Sequence, residues 1–354
     1  MVVRSQRSAT VLTFPPLPTT EPLLSAFKAS SLSVNSTILE LSTTAPEILK
    51  EALSDDGMVV CCGSLASIAH LMAPRQKAFF DATEDSFLFR ELVRPAYPDY
   101  KFLKTKTPWS EELTWPGRYV VKPNIGYSSV DTFVVHSLEE LEALQAAVSS
   151  PPETEFVVED YLAGKFICAD LVLLEGGRVA VTSVYERHDS GIKETAQLHT
   201  AALYTEHAGR FKDLAKTVIN RLLPVPPGTR VMCNVEAKLG EDAVLRIVEI
   251  NPFRACGVAP LLASRVLGRN VFEIAFGDEL DEGEVAAGAG AEVAVCFARE
   301  VGQRANQVLP GVLKALEMKD GRRRKGVAVD KILGAKNYDV FGISEGVMYD
   351  IVDA

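Results

Sequence analysis

The residues of this chain that could do chemistry are densest in one stretch, VMCNVEAKLGEDAVLRIVEINP, from Val231 to Pro252. Two β-type runs flank a Gly-Glu-Asp turn, so pairing about that turn would set Glu236 and Glu249 side by side on adjacent strands. Like charges so placed raise one another's pKa and cost stability unless a cation lies between them. Asn251, two residues past Glu249, points to the same strand face and adds a neutral oxygen. Glu236, Glu249 and Asn251 together form a hard oxygen set suited to Mg²⁺, which completes its shell with phosphate oxygens and water. The alternative is an exposed sheet face carrying ordinary charges.

Two further segments carry weaker signals. Val120, Val121, Lys122 and Pro123 lead into Asn124, Ile125, Gly126, Tyr127, Ser128 and Ser129. An apolar strand ending in Lys122 puts a cation at the base of a loop whose N–H groups and hydroxyls, those of Ser128 and Ser129 included, can close over phosphates. A solvated strand end is the plainer reading. In the run from Phe156 to Gly164, Glu159, Asp160, Tyr161 and Leu162 follow an apolar β stretch and could offer backbone groups to a purine edge. A strand end with an acidic turn explains that segment equally well.

The elements that must position these groups are legible in outline. Residues 9 to 82 alternate short β runs (ATVLTF, STILEL, MVVCCGS) with amphipathic stretches (EPLLSAFKAS, PEILKEAL), which predicts a small α/β layer of parallel strands. A helix is expected from Thr83 to Val93. Residues 118 to 135 read as strand, Gly/Ser loop, strand. Ser137 with Glu140 three residues on is a capping box opening the next helix. Gly176 and Gly177 predict a hairpin between FICADLVLL and GRVAVTSVY. Residues 210 to 223 look helical, and residues 185 to 207, which include Arg187, His188, Lys193, His199 and His207, are polar enough to read as a recognition loop over the site.

Composition narrows the function classes. With 37 Lys and Arg against 47 Asp and Glu, the net charge of -10 disfavours polyanions, and nucleic acid is not expected as a partner. The basic run Arg322 to Lys325 reads as a solvated turn. The six cysteines show no zinc spacing and look like core residues of a reduced compartment. No window approaches the ~20 apolar residues of a membrane span. A cytoplasmic protein of two or three domains in 354 residues is expected.

Taken in order, a strand with KP and a Gly/Ser loop with SSV, then VEDYLAG, then a Glu before a turn and EINP after it resemble the ATP-grasp superfamily. The resemblance is to its carboxylate-amine ligases, such as D-alanine:D-alanine and dipeptide ligases, and covers about residues 83 to 257. It implies an α/β fold: an ATP-grasp pair of α+β lobes behind an N-terminal parallel α/β domain. The expected boundaries are 1–82 for that domain, 83–184 for a small lobe with phosphate loop and adenine hinge, and 185–300 for a large lobe with the metal site. Residues 301–354 would complete or cover the large lobe.

The resemblance also implies roles. ATP is the cofactor, with Mg²⁺, or Mn²⁺ in its place, held by Glu236, Glu249 and Asn251. Lys122 contacts phosphates, and Glu159 to Leu162 form the adenine hinge. Where the family usually has a phosphate-contacting Lys in the preceding helix, this chain has Arg90. Where the family commonly has an acid for the ribose, the chain reads Gly164, Lys165, Phe166, and Asp170 is the substitute. Many relatives read Asn-Pro-Arg after the last Glu; here Phe253 intervenes, and Arg254 is expected to neutralise a carboxylate or acyl phosphate. Lys122 and Arg254 are thus the catalytic candidates, and Arg187, His188, His199 and Arg254 the substrate candidates. The implied reaction joins a small carboxylic acid to an amine or amino acid through an acyl phosphate, with no membrane partner and room for a homodimer. An ATP-grasp phosphotransferase, a carboxylase-type component and a non-catalytic nucleotide-binding protein are the alternatives.

Overall fold

Apolar alternation, interrupted by Gly and Pro, folds the chain into three sheets. The computed structural model describes residues 9–13, 20–30, 37–53, 58–61, 63, 65–105, 113–126, 131–144, 153–190, 193–219, 230–255, 259–276, 293–298 and 349–353. Ser128, Ser129, the side chain of His188 and the run Arg322 to Lys325 lie outside what is described.

The N-terminal layer is parallel, as the β/amphipathic alternation predicts. Strands β1 (Ala9–Thr13), β2 (Thr37–Glu40) and β3 (Met58–Cys61) pair in the order β2-β1-β3, with helices α1 (Thr20–Lys28) and α2 (Pro46–Ala52) between them. Val11, Leu12, Val59 and Val60 are buried against Leu23, Phe27 and Leu49 of those helices.

The single helix expected from Thr83 to Val93 is two. Helix α3 (Pro74–Glu84) ends at Asp85, which caps α4 (Ser86–Val93) by accepting the Leu88 N–H at 2.7 Å. A short polar side chain that satisfies orphan N–H groups starts a helix more favourably than it continues one. Asn124 bolts this junction in place: its carbonyl and Oδ1 accept from Ser86 N and Phe87 N at 2.9 and 2.8 Å, and its Nδ2 donates to Asp85 at 3.0 Å.

The second sheet is antiparallel: β4 (Phe102–Thr105), β7 (Phe156–Asp160), β5 (Tyr119–Pro123) and β6 (Phe133–Val135) in the order β4-β7-β5-β6. Tyr119, Val121, Phe156 and Val158 pack beneath α5 (Leu138–Ala143) through Leu141. The capping box holds in part, since Ser137 Oγ accepts from Glu140 N at 3.1 Å while Glu140 reaches back one residue further, to His136 N at 2.7 Å.

The third sheet follows the order β12-β11-β8-β9-β10-β13-β14, from β8 (Lys165–Leu174), β9 (Val179–Ser190), β10 (Lys193–Thr200), β11 (Arg230–Leu239), β12 (Leu245–Pro252), β13 (Val293–Ala298) and β14 (Tyr349–Asp353). Its apolar face packs on α6 (Ala201–Leu214) and on the end of α7 (Ala259–Leu267) with α8 (Val271–Phe276). Gly176 and Gly177, both at positive φ, make the turn of the β8–β9 hairpin. Residues 185 to 207 are not a loop: β9 continues to Ser190, β10 returns from Lys193, and α6 starts at Ala201. Glu186 to Ser190 are an unbroken polar run on β9, and a strand carries it because both faces find partners: Glu186 pairs with Lys165, and Arg187 with Glu236 and Asp189.

The strand β12 carries a bulge. Glu249 pairs with Glu236 and Ile247 with Ala237, leaving Val248 unpaired between them. The bulge lets Leu245, Ile247 and Ile250 all be buried while Glu249 and Asn251 share the polar face.

Candidate active site

On the polar face of the large sheet two rows run straight across the strands. One is Glu249, Glu236, Cys168 and Tyr185; the other is Asn251, Asn234, Asp170 and Ser183. The carboxylate pair expected from the sequence is therefore in register, with Asn251 beside it. Glu249 is open to solvent, yet protein surrounds it closely enough to impair hydration of its charge. Its carboxyl is raised, by desolvation first and by Glu236 second, against the pull of Lys122, Arg254 and Arg187. Among the described residues no cluster of three or more His, Cys, Asp or Glu is placed to hold a metal. The set here is two carboxylates and an amide.

Arg254 lies at the same end. Its Nη1 donates to Asn251 Oδ1 at 3.0 Å. The intervening Phe253 adopts a left-handed backbone (φ 56°) and is buried edge-on against Phe79 at 5.8 Å, which turns the chain so that Arg254 returns toward Asn251. Cys61 of β3 hydrogen-bonds on either side of it, from its N to Phe253 O at 2.8 Å and from Ala255 N to its O at 3.1 Å. Glu84, at the end of α3, completes the cluster. Burial and Glu249 push its carboxyl up to about 7, with Arg254 opposing.

Lys122 and Glu159 lie on the face of the small sheet turned toward this cluster, bonded at 2.9 Å. Burial would raise the Glu159 carboxyl, but Arg90 and Lys122 outweigh it and hold it at about 2. Arg90 is buried on α4 with its guanidinium bonded to Glu159 and to carbonyls of β12. At the hinge, Asp160 N and Tyr161 N donate to Lys101 O and Arg118 O, both at 2.9 Å, and the Arg118 guanidinium stacks 3.5 Å from the Tyr161 ring centre. Leu162 follows, partly exposed.

The remaining candidates fall in the polar rows or beside them. Asp170 is fully buried in mid-strand, accepting from Asn234 at 2.9 Å, five residues past Lys165 and away from the hinge. Arg187 bonds Glu236 and Asp189 and stacks on Phe166 at 4.3 Å. His188 pairs by its backbone with Ala196. His199 is buried, stacked on Tyr185 at 4.9 Å, and desolvation lowers its pKa to about 3, so it is a neutral ring rather than a cation. Sequence reasoning passed over Glu84, Asn234 and Tyr185, and took Asn124 only as the start of the phosphate loop. For Glu84 a signal existed: Asp85 ahead of Ser86, Phe87 and Leu88 is a helix-cap residue, and a break there leaves Glu84 at a helix end.

Comparison with known proteins gives a consistent picture. Residues 116–260 match the ATP-grasp domain family. A D-alanine–D-alanine ligase of Francisella philomiragia is 31% identical over 121 residues, 33% of this chain and 39% of that relative, so the chain spans well under half of the protein it matches. Among solved structures, an L-amino acid ligase from Bacillus licheniformis superposes with a TM-score of 0.55 at 16% identity, covering 82% of this chain and 80% of that one. N5-carboxyaminoimidazole synthase from Aspergillus clavatus, in complex with ADP and 5-aminoimidazole ribonucleotide, gives 0.59 at 12% identity over 83% and 82%. Biotin carboxylase from Campylobacter jejuni gives 0.53 at 12% identity over 82% and 75%. At such identities these structures speak for the fold.

Proposed function

From the match of residues 116–260 to the ATP-grasp domain family, we propose that this chain is an ATP-dependent carboxylate-amine ligase, binding ATP between its four-stranded and seven-stranded sheets. The observation that carries this reading is the Glu236–Glu249 pair lying within the fields of Lys122, Arg254 and Arg187. A divalent cation fits that pair. The donors are hard oxygens, and Glu249 and Glu236 stand directly opposite each other with the Asn251 amide on the same face. Glu236, Glu249 and Asn251 would hold Mg²⁺, or Mn²⁺, whose chemistry is to polarise and neutralise phosphate oxygens.

The chain's own groups supply positioning. Lys122, fixed by Glu159, presents a charge to the phosphates, and Arg254, steadied by Asn251, faces the carboxylate being activated. The carboxylate oxygen attacks the γ-phosphorus, and the bond to the β–γ bridging oxygen breaks to release ADP. The amine nitrogen then attacks the acyl carbon, phosphate leaves with the C–O electron pair, and the nitrogen gives up a proton.

Hydroxylamine tests the intermediate, because a small strong nucleophile needs little recognition to capture an acyl phosphate. With ATP, Mg²⁺ and pools of carboxylic acids, a hydroxamate should accumulate with ADP only when the right acid is present. ADP formed without hydroxamate across a broad acid panel would overturn the ligase reading. Bicarbonate-dependent ADP release would point to carboxylase-type chemistry, and a phosphoester inert to hydroxylamine to phosphotransfer.

A further inference from the structure

Every arm of the Arg90 guanidinium is engaged. Its Nε and Nη2 donate to the two oxygens of Glu159 at 2.5 and 3.1 Å, while Nη1 and Nη2 also donate to the carbonyls of Ile247 and Val248 at 3.1 and 2.8 Å. Glu159 opens the expected hinge and shares its carboxylate with Lys122. Val248 is the bulged residue immediately before Glu249. One planar side chain therefore spans from the phosphate-side cation to the backbone that aims a metal-side carboxylate.

A guanidinium is required for such a reach. A lysine ammonium is a compact point charge and cannot hold a carboxylate edge and two carbonyls in one plane. The rings of Phe89 and Tyr100, their centroids 5.3 and 5.2 Å from the guanidinium carbon, confine it further. Tyr97 also touches β12, its hydroxyl accepting from Ile247 N at 3.3 Å.

The geometry points to Arg90 as a positioning residue that couples nucleotide occupancy beside Lys122 to the aim of Glu249. This deepens, and rests on, the ligase reading above. A phosphate that draws on Lys122 shifts the Glu159 carboxylate toward Arg90, and the guanidinium carries that shift to the Ile247 and Val248 carbonyls.

Amide hydrogen exchange on the full chain, with ADP and no divalent metal, reads the coupling directly. Slower exchange is expected across residues 245–250 as well as 156–163. Protection confined to 119–123 and 156–163 would overturn the inference and leave nucleotide binding standing, whereas no ADP-dependent protection anywhere would sink the ligase reading with it. Arg90→Lys keeps a charge beside Glu159 but releases the carbonyls. It should bind ADP alone within about threefold of the parent yet lose about tenfold or more of the affinity gain that Mg²⁺ gives, as groups that orient metal ligands do. Tyr97→Phe, which leaves Glu159 untouched, should keep that gain. An Arg90→Lys protein with the full Mg²⁺ gain overturns the coupling, and if this variant does not fold, the exchange pattern of the parent decides.

Discussion

Glu249 stands directly opposite Glu236 on antiparallel strands, with the unpaired Val248 beside it. Two carboxylates so placed strain the apoprotein and become an asset only when a dication binds. Glu249→Gln should therefore leave the melting temperature of the metal-free protein unchanged or slightly higher, while nearly abolishing phosphate release and the Mg²⁺-dependent part of nucleotide affinity. Unaltered turnover in that variant would remove Glu249 from the site.

Lys122, tied to Glu159 at 2.9 Å, is the phosphate contact in the proposed reading. Lys122→Ala should weaken ATP binding by about 1.5–3 kcal/mol, the usual worth of a hydrogen bond to a charged partner. Equal affinities by calorimetry would contradict the assignment.

In the proposed reaction Arg254, steadied by Asn251, would act on charge that develops as the acyl phosphate forms. Arg254→Ala should slow hydroxamate formation by about 10²-fold or more, the loss expected for one preorganised stabilising group. A variant that keeps its rate but needs more of the acid would move Arg254 from activation to simple binding.

His199 is buried with a pKa near 3, far below its usual 6.5. The folded ring stays neutral while the unfolded chain takes up a proton below pH 6.5, so this group's stability contribution is complete above that pH and is lost as pH falls toward 3. The slope is at most about 1.4 kcal/mol per pH unit. Urea midpoints between pH 7 and 4.5 should fall less steeply in His199→Phe than in the parent. Parallel curves would show that His199 takes no part in acid destabilisation.

Gly164, where the hinge enters β8, has φ +121°, and a Cβ there would lie 2.1 Å from the Leu239 carbonyl oxygen. Gly164→Ala should cost at least about 1–3 kcal/mol from backbone strain alone, with displacement of the β11–β12 turn in addition. Differential scanning calorimetry showing parental stability would mean that the turn yields freely.

The nearness of the two carboxylates was readable because Gly240, Glu241 and Asp242 sit between the β runs that carry Glu236 and Glu249. Their direct pairing was not, since counting outward from Leu239 and Leu245 sets Val248 opposite Glu236 and only the bulge brings Glu249 there. The bulge was not readable, since Leu245, Ile247, Val248 and Ile250 are all apolar and fit either register. Arg90 was read as a phosphate-contacting cation on a helix; the partners it has lie 69, 157 and 158 residues away, and no local pattern names them. Residues 185 to 207 misled because polarity was taken for a loop, when Arg187 and Gln197 face each other across paired strands.

The family match begins at residue 116, yet two of the contacts that aim the site come from before it. Cys61 clamps the backbone on both sides of Arg254, and Arg90 grips the carbonyls ahead of Glu249. A fragment cut to the matched segment would keep Lys122, Glu159, Glu236, Glu249, Asn251 and Arg254 and still lack the parts that point them. The segment that the family model matches and the stretch of chain that holds these side chains in place are of different lengths.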